Sequence, residues 1–383
     1  MDARLRVLTA LNHREPDRIP FDFGGTPFSG MHVAAVRSLR AHLGLNAGTV
    51  QPWDIRTQLG TLDADLLDRL HADCRNMGPR SSHMLQLEVR DEGDYTAITD
   101  EWGVGWRMPK HGGFYYDMYR HPMAGAEQVE DLRNYRWLDP LDDSRFVGVR
   151  ARAAAAREAG KAVVLSGLCA GVTEVHAWLR GYLNSYTDFH LYPELTGYIL
   201  DHIADMKIAY WERMLSEVGD LVDVVIEADD LAGQQRLLFS PETYRGFVKS
   251  RHIRVFSAIK RKAPHVKILF HSCGSVRPLI GDLIEAGVDI LNPVQKSAAG
   301  MDLRELKREF GSDVVFWGGG VDTQRVLPRG TPEEIRDDVR RNIEALAPGG
   351  GFVFATIHNA QADVPPQNFM AMWETLQQYG AYA

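Results

Sequence analysis

Two side chains that can bind a metal stand two residues apart in the stretch FHSCGS, where His271 and Cys273 follow an apolar run. Successive side chains of a strand point to opposite faces, so residues two apart point to the same side. Imidazole nitrogen and thiolate sulfur are both ligands of Zn²⁺. The pair therefore predicts half of a zinc site. The alternative that these residues leave open is a buried thiol beside a hydrogen-bonded core histidine.

Two other apolar runs also end in an ionisable residue, Glu227 in VVIE and His358 in FVFATIH. Burying such groups without a partner is costly, which favours a metal or a catalytic partner. We predict that zinc is bound by His271, Cys273 and His358, with Glu227 or a water as the fourth ligand of a catalytic site.

Further carboxylates follow the same apolar runs. Asp229 and Asp230 come directly after Glu227 in EADDLAGQ, and Asp22 ends the run in PFDFGG. We expect Asp229, Asp230 and Glu227 to orient metal ligands or to act as general acids and bases, and Asp22 to be a catalytic polar group of the pocket. The alternative for Asp230 is a cap on the following helix or turn.

Amide side chains in the loops after these runs are predicted to contact the substrate. They are Gln234, Gln295 and Asn359. The aromatic, glycine-broken segment around residues 95–122 predicts hairpins or a lid. Its aromatic side chains either line an apolar pocket or pack in the core, and the sequence leaves both open. These side chains are Trp102, Trp106, Tyr115 and Tyr116.

From residue 160 onward, apolar β-rich runs alternate with amphipathic helical stretches. This alternation is typical of a parallel sheet covered on both faces. We predict a distorted (β/α)8 TIM-type barrel, an α/β fold, with a doubly wound open sheet as the alternative. One domain would span 1–383, with an N-terminal extension of helices, hairpins and lid-like insertions in 1–160 and regular strand–helix units in 161–383. Active sites of such barrels lie at the carboxyl ends of the strands, where the polar residues above stand.

Composition excludes several classes of protein. The formal net charge is −8, which does not favour a nucleic-acid surface. No apolar stretch approaches the roughly 20 residues of a membrane span, and the N-terminus lacks the apolar core of a secretion signal. Three cysteines do not make a disulfide framework in a chain of 383 residues. We expect a cytoplasmic protein whose thiols are reduced.

Extended stretches of the chain resemble the uroporphyrinogen decarboxylase superfamily. They include RVLTALNHREPDRIPFDFGG, KILFHSCGSVRPLIGDLIEAGVDILNPVQ and APGGGFVFATIHNAQADVPPQNF. The resemblance is strongest to the branch of cobamide-dependent zinc methyltransferases, which act in O-demethylation or methylate thiols. It implies a distorted barrel and a zinc site made of H-x-C and a distant cysteine. No cysteine follows Cys273 here, and His358 is the residue best placed to substitute.

The resemblance implies a zinc-dependent methyltransferase that moves a methyl group between a small substrate and a corrinoid cofactor carried by a partner protein. A methoxylated aromatic is the favoured methyl donor, and a homodimer is a further expectation. Two alternatives stay open, a metal-free decarboxylase acting on a cyclic or aromatic carboxylate and a non-catalytic barrel. The arginine-rich N-terminal motif of the decarboxylases has no counterpart in RIPFDFGG.

Overall fold

The computed structural model describes residues 1–48, 50–78 and 87–382. A curled sheet of seven parallel strands lies at its centre, in the order β13-β12-β11-β10-β9-β8-β3. In chain order the strands of the described part are β1 (Pro52–Asp54), β2 (Leu59–Gly60), β3 (Cys74–Met77), β4 (Arg90–Glu92), β5 (Tyr95–Thr99), β6 (Gly105–Pro109), β7 (Asp117–Arg120), β8 (Ala162–Ser166), β9 (Val224–Ala228), β10 (Lys267–His271), β11 (Ile290–Asn292), β12 (Val315–Trp317) and β13 (Phe352–Val353).

Helices connect the parallel strands and cover the outside of the sheet. Local sequence starts them at defined points: Thr331 and Glu334 form a reciprocal capping box before Pro332 opens one helix. In chain order the described helices are α1 (Ala3–Leu11), α2 (Val33–His42), α3 (Ala64–Arg69), α4 (Val149–Glu158), α5 (Val172–Arg180), α6 (Tyr182–Leu191), α7 (Pro193–Val218), α8 (Pro241–Thr243), α9 (Lys249–Lys262), α10 (Ile280–Ala286), α11 (Leu303–Phe310), α12 (Val326–Arg329), α13 (Pro332–Leu346) and α14 (Pro366–Tyr379).

The segment at residues 19–23 lies between the two edge strands, β13 and β3. Phe21 forms a parallel bridge with Phe354, and its carbonyl accepts the N–H of Asp73 at 2.9 Å. Pro20 has no N–H to donate, which limits the ladder that this segment can form. The predicted barrel-like α/β architecture is thus confirmed as a curled parallel sheet with helices. Eight regular strands do not form among the described residues.

Strand alternation divides the apolar side chains between two cores. One core lies inside the curled sheet and contains Val224, Ile226 and Leu269, with Val7 from α1. The other lies between the sheet and the helices. Paired residues of neighbouring parallel strands point to the same face, and His271 is paired with Ala228. Side chains that lie an even number of residues from these two along their own strands therefore also point into the interior.

The predicted hairpins form a four-stranded antiparallel sheet, β4-β5-β6-β7. Trp102, Trp106 and Tyr116 are buried in the core, whereas Tyr115 is 48% exposed and lines a cavity described below. Packing therefore accounts for three of the four aromatic side chains that the sequence singled out. Within the described ranges, no helix combines the length and the apolar character needed to cross a bilayer.

Candidate metal centre

Three candidate ligands converge at the carboxyl ends of the parallel strands. One ligand atom each of His271, Cys273 and His358 lies within 4.8 Å of the other two, and Cys273 Sγ is 3.4 Å from His271 Nε2. Tetrahedral zinc with bonds of about 2.0–2.3 Å places its ligand atoms roughly 3.3–3.8 Å apart, so only a small contraction would close the set around an ion. Two imidazoles and one thiol suit zinc in chemistry and in spacing.

His271 is held in the orientation that a ligand needs. It ends β10 on the inward face, and its Nδ1 lies 2.6 Å from the side-chain oxygen of Asn292. Because that oxygen accepts the Nδ1 proton, Nε2 keeps its lone pair towards Cys273. The ring of Phe28 stacks on the imidazole with centroids 3.5 Å apart. Burial lowers the pKa of His271 to about 4, so the ring is neutral near pH 7.

His358 and Cys273 complete the group from two other loops. Burial, and then the neighbouring His271, lower the pKa of His358 to about 4. Burial raises the pKa of the Cys273 thiol well above its usual range, and the carboxylates of Asp230 and Glu174 add to the effect. Among the described residues, no positive charge contributes to stabilising a Cys273 thiolate, and a bound cation is what would do so.

Asp230 points inward beside this cluster, and its Oδ1 accepts the backbone N–H of Cys273 at 2.8 Å. Burial raises the pKa of Asp230. Glu174, near the start of α5, lies close enough for Asp230 and Asp229 to raise its pKa further after burial, to about 8. The sequence reasoning missed Glu174. Its signal is its place in the first turn of the helix that follows β8.

Glu227 does not lie with the cluster, which corrects its predicted place as a metal ligand. Its position on β9 points outward towards α7, where Oε2 is 2.9 Å from Lys207 Nζ and Oε1 accepts Trp211 Nε1–H at 2.5 Å. All three side chains are buried. The carboxylate therefore forms a buried ion pair between the sheet and the helix. It does not point into the interior, because successive side chains of a strand alternate between the two faces.

Asp229 also points outward. Its carboxylate accepts the backbone N–H groups of Thr173 at 3.0 Å and Glu174 at 2.9 Å, and it lies 3.1 Å from His252 Nε2. It thus caps the start of α5 from a neighbouring strand. The cap that the sequence left open for Asp230 is made by its neighbour, and the contacts of Asp229 position Glu174 rather than reach the candidate ligands.

Asp22 is buried inside the sheet. It accepts Trp317 Nε1–H at 2.8 Å and the backbone N–H of Gly25 at 2.7 Å. Burial raises the pKa of Asp22 to about 6, although these hydrogen bonds oppose the shift. It is a protonatable group in the interior that is held by neutral donors.

Asn359 fixes a loop. Its Oδ1 accepts the N–H of Gly30 at 2.7 Å, and its Nδ2 donates to the carbonyl of Pro27 at 3.0 Å. Phe28, the residue that covers His271, lies in the loop so held. Sequence reasoning assigned Asn359 to the substrate and missed Phe28, whose role depends on a contact between distant parts of the chain.

Gln295 and Gln234 form a hydrogen bond with each other in the wall of a cavity of about 610 Å³. Gln295 Nε2 donates to Gln234 Oε1 at 2.8 Å, and Gln295 Oε1 accepts the N–H of Gly274 at 2.8 Å. The described residues that line the cavity include neither lysine nor arginine. They are Thr57, Leu59, Phe114, Tyr115, Gln234, Cys273, Gln295, Thr323, Gln324, Pro328, Ile357, His358, Asn359, Gln361 and Asp363.

Comparison with known proteins places this fold in a family. The family model described as Uroporphyrinogen decarboxylase (URO-D) matches residues 94–379, and the chain belongs to this family. The uroporphyrinogen decarboxylase of Alkalilimnicola ehrlichii is 25% identical over 297 residues, 74% of each chain. That of Psychromonas ingrahamii is 27% identical over 179 residues, 46% of each chain.

The fold is also similar to that of a methyltransferase from Methanosarcina mazei. The two structures superpose with a TM-score of 0.66 over 99% of each chain, at 17% sequence identity. At that identity the likeness concerns the fold.

Proposed function

We propose that this protein is a zinc-dependent methyltransferase that moves a methyl group between a small substrate and a corrinoid cofactor bound to a partner protein. The convergence of His271, Cys273 and His358 within 4.8 Å is the observation that carries the proposal. Membership of the URO-D family and the fold shared with a methyltransferase support it. A cytoplasmic location and a homodimer remain predictions.

The residues of the site have separate tasks. His271, Cys273 and His358 would hold the metal, with Cys273 giving up its proton on binding. When bound, Zn²⁺ would supply Lewis acidity at an ether oxygen or lower the pKa of a substrate thiol. Asn292 keeps the His271 tautomer that leaves Nε2 free, and Phe28 covers the imidazole from one side.

A methoxylated aromatic is the donor that the cavity favours. Phe114 and Tyr115 contribute aromatic surface to its lining, and Gln234 and Gln295 contribute amide groups. The methyl acceptor would be a reduced corrinoid held by its own protein; the bond between the methyl carbon and the ether oxygen would break, and the demethylated oxygen would take up a proton. Asp230 is the protonatable group nearest to the candidate ligands in the described contacts.

The test combines metal analysis with methyl transfer. Purified protein should hold about one zinc per chain and should methylate a reduced corrinoid when a methoxylated aromatic is added. Replacing Cys273 with alanine should remove the zinc and lower the rate by at least about a thousandfold, because an activating ion is lost. Cys169→Ala is the matched control, since Cys169 lies outside the ligand cluster. Full methyl transfer by metal-free protein would contradict the proposal.

A second candidate is a metal-free decarboxylase of a cyclic or aromatic carboxylate. Asp22, a buried carboxyl whose pKa is raised to about 6, is the observation that favours it, together with the family. A substrate with many carboxylates needs cationic side chains around it, and the lining of the cavity has none among the described residues. Release of CO₂ by protein stripped of metal would establish this alternative.

A further inference from the structure

The lining of the 610 Å³ cavity is nearly free of charge. Apart from the candidate ligands and the phenol of Tyr115, Asp363 is its one ionisable residue in the described part of the chain. Side chains with uncharged amide or aliphatic hydroxyl groups also line it. They belong to Thr57, Gln234, Gln295, Thr323, Gln324, Asn359 and Gln361.

Four cations adjoin lining residues in the sequence, and none of them lines the cavity. The Nζ of Lys296, next to Gln295, is paired with Asp338 and donates to Asn342 Oδ1 at 2.9 Å. Arg325 and Arg329 line a different cleft. Arg56, next to Thr57, pairs with Asp54 at 3.6 Å and Asp100 at 3.9 Å.

The polar group beside the candidate ligands is a carboxyl group and not a cation. Asp230 Oδ1 accepts the backbone N–H of Cys273 at 2.8 Å. Neither this position nor the described lining of the cavity offers an anionic ligand a lysine or arginine as a partner.

Two aromatic side chains also line the cavity. Phe114 and Tyr115, from the loop between β6 and β7, are 38% and 48% exposed and line the cavity. Exposed aromatic side chains at the rim of a cavity can pack on a planar ligand at little conformational cost.

We propose that the methyl donor is an uncharged methoxylated aromatic, such as a phenol ether or an aromatic amide, and not a methoxybenzoate. This inference rests on the proposed function for the donor's methoxy group. The amides of Gln234, Gln295 and Gln324 would hydrogen-bond a neutral substituent, while a carboxylate would enter a cavity whose described lining offers neither lysine nor arginine as a counterion.

Calorimetric titration of the zinc-loaded full chain with 3-methoxybenzamide and 3-methoxybenzoate tests the inference, because the two probes share their shape and differ in charge. The amide should bind at least about tenfold more tightly. Repeating both titrations with zinc-free protein separates direct binding of the carboxylate to the metal. Equal affinity or a preference for the benzoate in zinc-free protein overturns the inference, and so does the absence of any binding.

A charge placed in the wall should reverse the preference. Gln324→Arg should tighten benzoate binding by about tenfold, and Gln324→Met, of similar size and uncharged, should not. Equal affinity of the two variants for benzoate overturns the inference. Binding is read without turnover, so a clear preference for the amide with no methyl transfer would sink the proposed function while supporting an uncharged ligand.

Discussion

The two faces of strands β9 and β10 carry similar side chains with different surroundings. Asp230, His271 and Cys273 point into the interior, and Glu227 and Asp229 point towards the helices. The outward carboxylates have partners built into the fold, a lysine for Glu227 and helix N–H groups for Asp229. In the described part of the chain, the hydrogen bonds of the inward groups are to neutral groups or to one another. We infer that the outward face stabilises the sheet and that the inward face is free to bind.

The largest effect on stability should follow from removing the Glu227–Lys207 ion pair on the outward face. Glu227→Gln leaves the Lys207 ammonium buried without its carboxylate, which should lower the free energy of unfolding by about 3–5 kcal/mol. Denaturant unfolding measures the loss, and zinc content should stay at the wild-type value.

The double variant Glu227→Gln, Lys207→Met is the control, because it removes both charges and should recover most of the stability. Loss of zinc from Glu227→Gln with unchanged stability would place Glu227 in the metal site. It would contradict the statement that the outward face stabilises the sheet while the inward face binds.

The buried carboxyl group of Asp22 should make the free energy of unfolding depend on pH. The pKa of Asp22 is raised to about 6 from an ordinary value of 3.8, so the native state holds a proton that the unfolded state releases. The free energy of unfolding should therefore fall as pH rises through roughly 4 to 6, by about 2–3 kcal/mol from this group.

Denaturant titrations of wild type and Asp22→Asn across this pH range measure the fall in the free energy of unfolding that is due to Asp22. The variant should lack this part of the fall. Asp363→Asn, at an exposed carboxylate, is the matched control. Parallel pH profiles for wild type and Asp22→Asn would show that the native and unfolded states release this proton in the same pH range, which contradicts the raised pKa of Asp22.

A smaller effect should come from the group that orients His271. Asn292→Ala removes the acceptor at Nδ1, and zinc affinity should fall by about 10–100-fold. Chelator competition measures the affinity. Asn368→Ala, at a buried asparagine that bonds the carbonyls of Leu327 and Gly330, should leave it unchanged. Equal zinc affinity in the two variants would remove Asn292 from the description of the site.

The sequence predicts the central sheet and the pair His271–Cys273, because continuous apolar runs and spacing by two are local properties. It does not predict the face on which each residue of IEADD lies, since both faces of β9 are apolar and buried. Pairing with β10 sets that parity and separates Glu227 and Asp229 from Asp230. The segment at residues 19–23 occupies the place of an eighth strand but does not form a regular one, because Pro20 has no N–H to donate to the ladder.

Contacts between distant segments account for the residues that sequence reasoning missed. Phe28 reaches His271 only because Asn359 holds its loop from the other end of the chain. Glu174 approaches Cys273 because Asp229 caps α5. The contact of Phe28 has no signature in spacing or composition, and the place of Glu174 in the first turn of its helix does not by itself show that it approaches Cys273.

X-ray absorption at the zinc edge tests the central claim most directly, since it reports the ligands of the bound ion. We expect one sulfur at about 2.3 Å and nitrogen or oxygen ligands at about 2.0 Å, two of them imidazoles. The sulfur should disappear in any zinc retained by Cys273→Ala and should persist in Cys169→Ala. A zinc shell without sulfur in the wild-type protein, or a purified protein that binds no zinc, would contradict the claim.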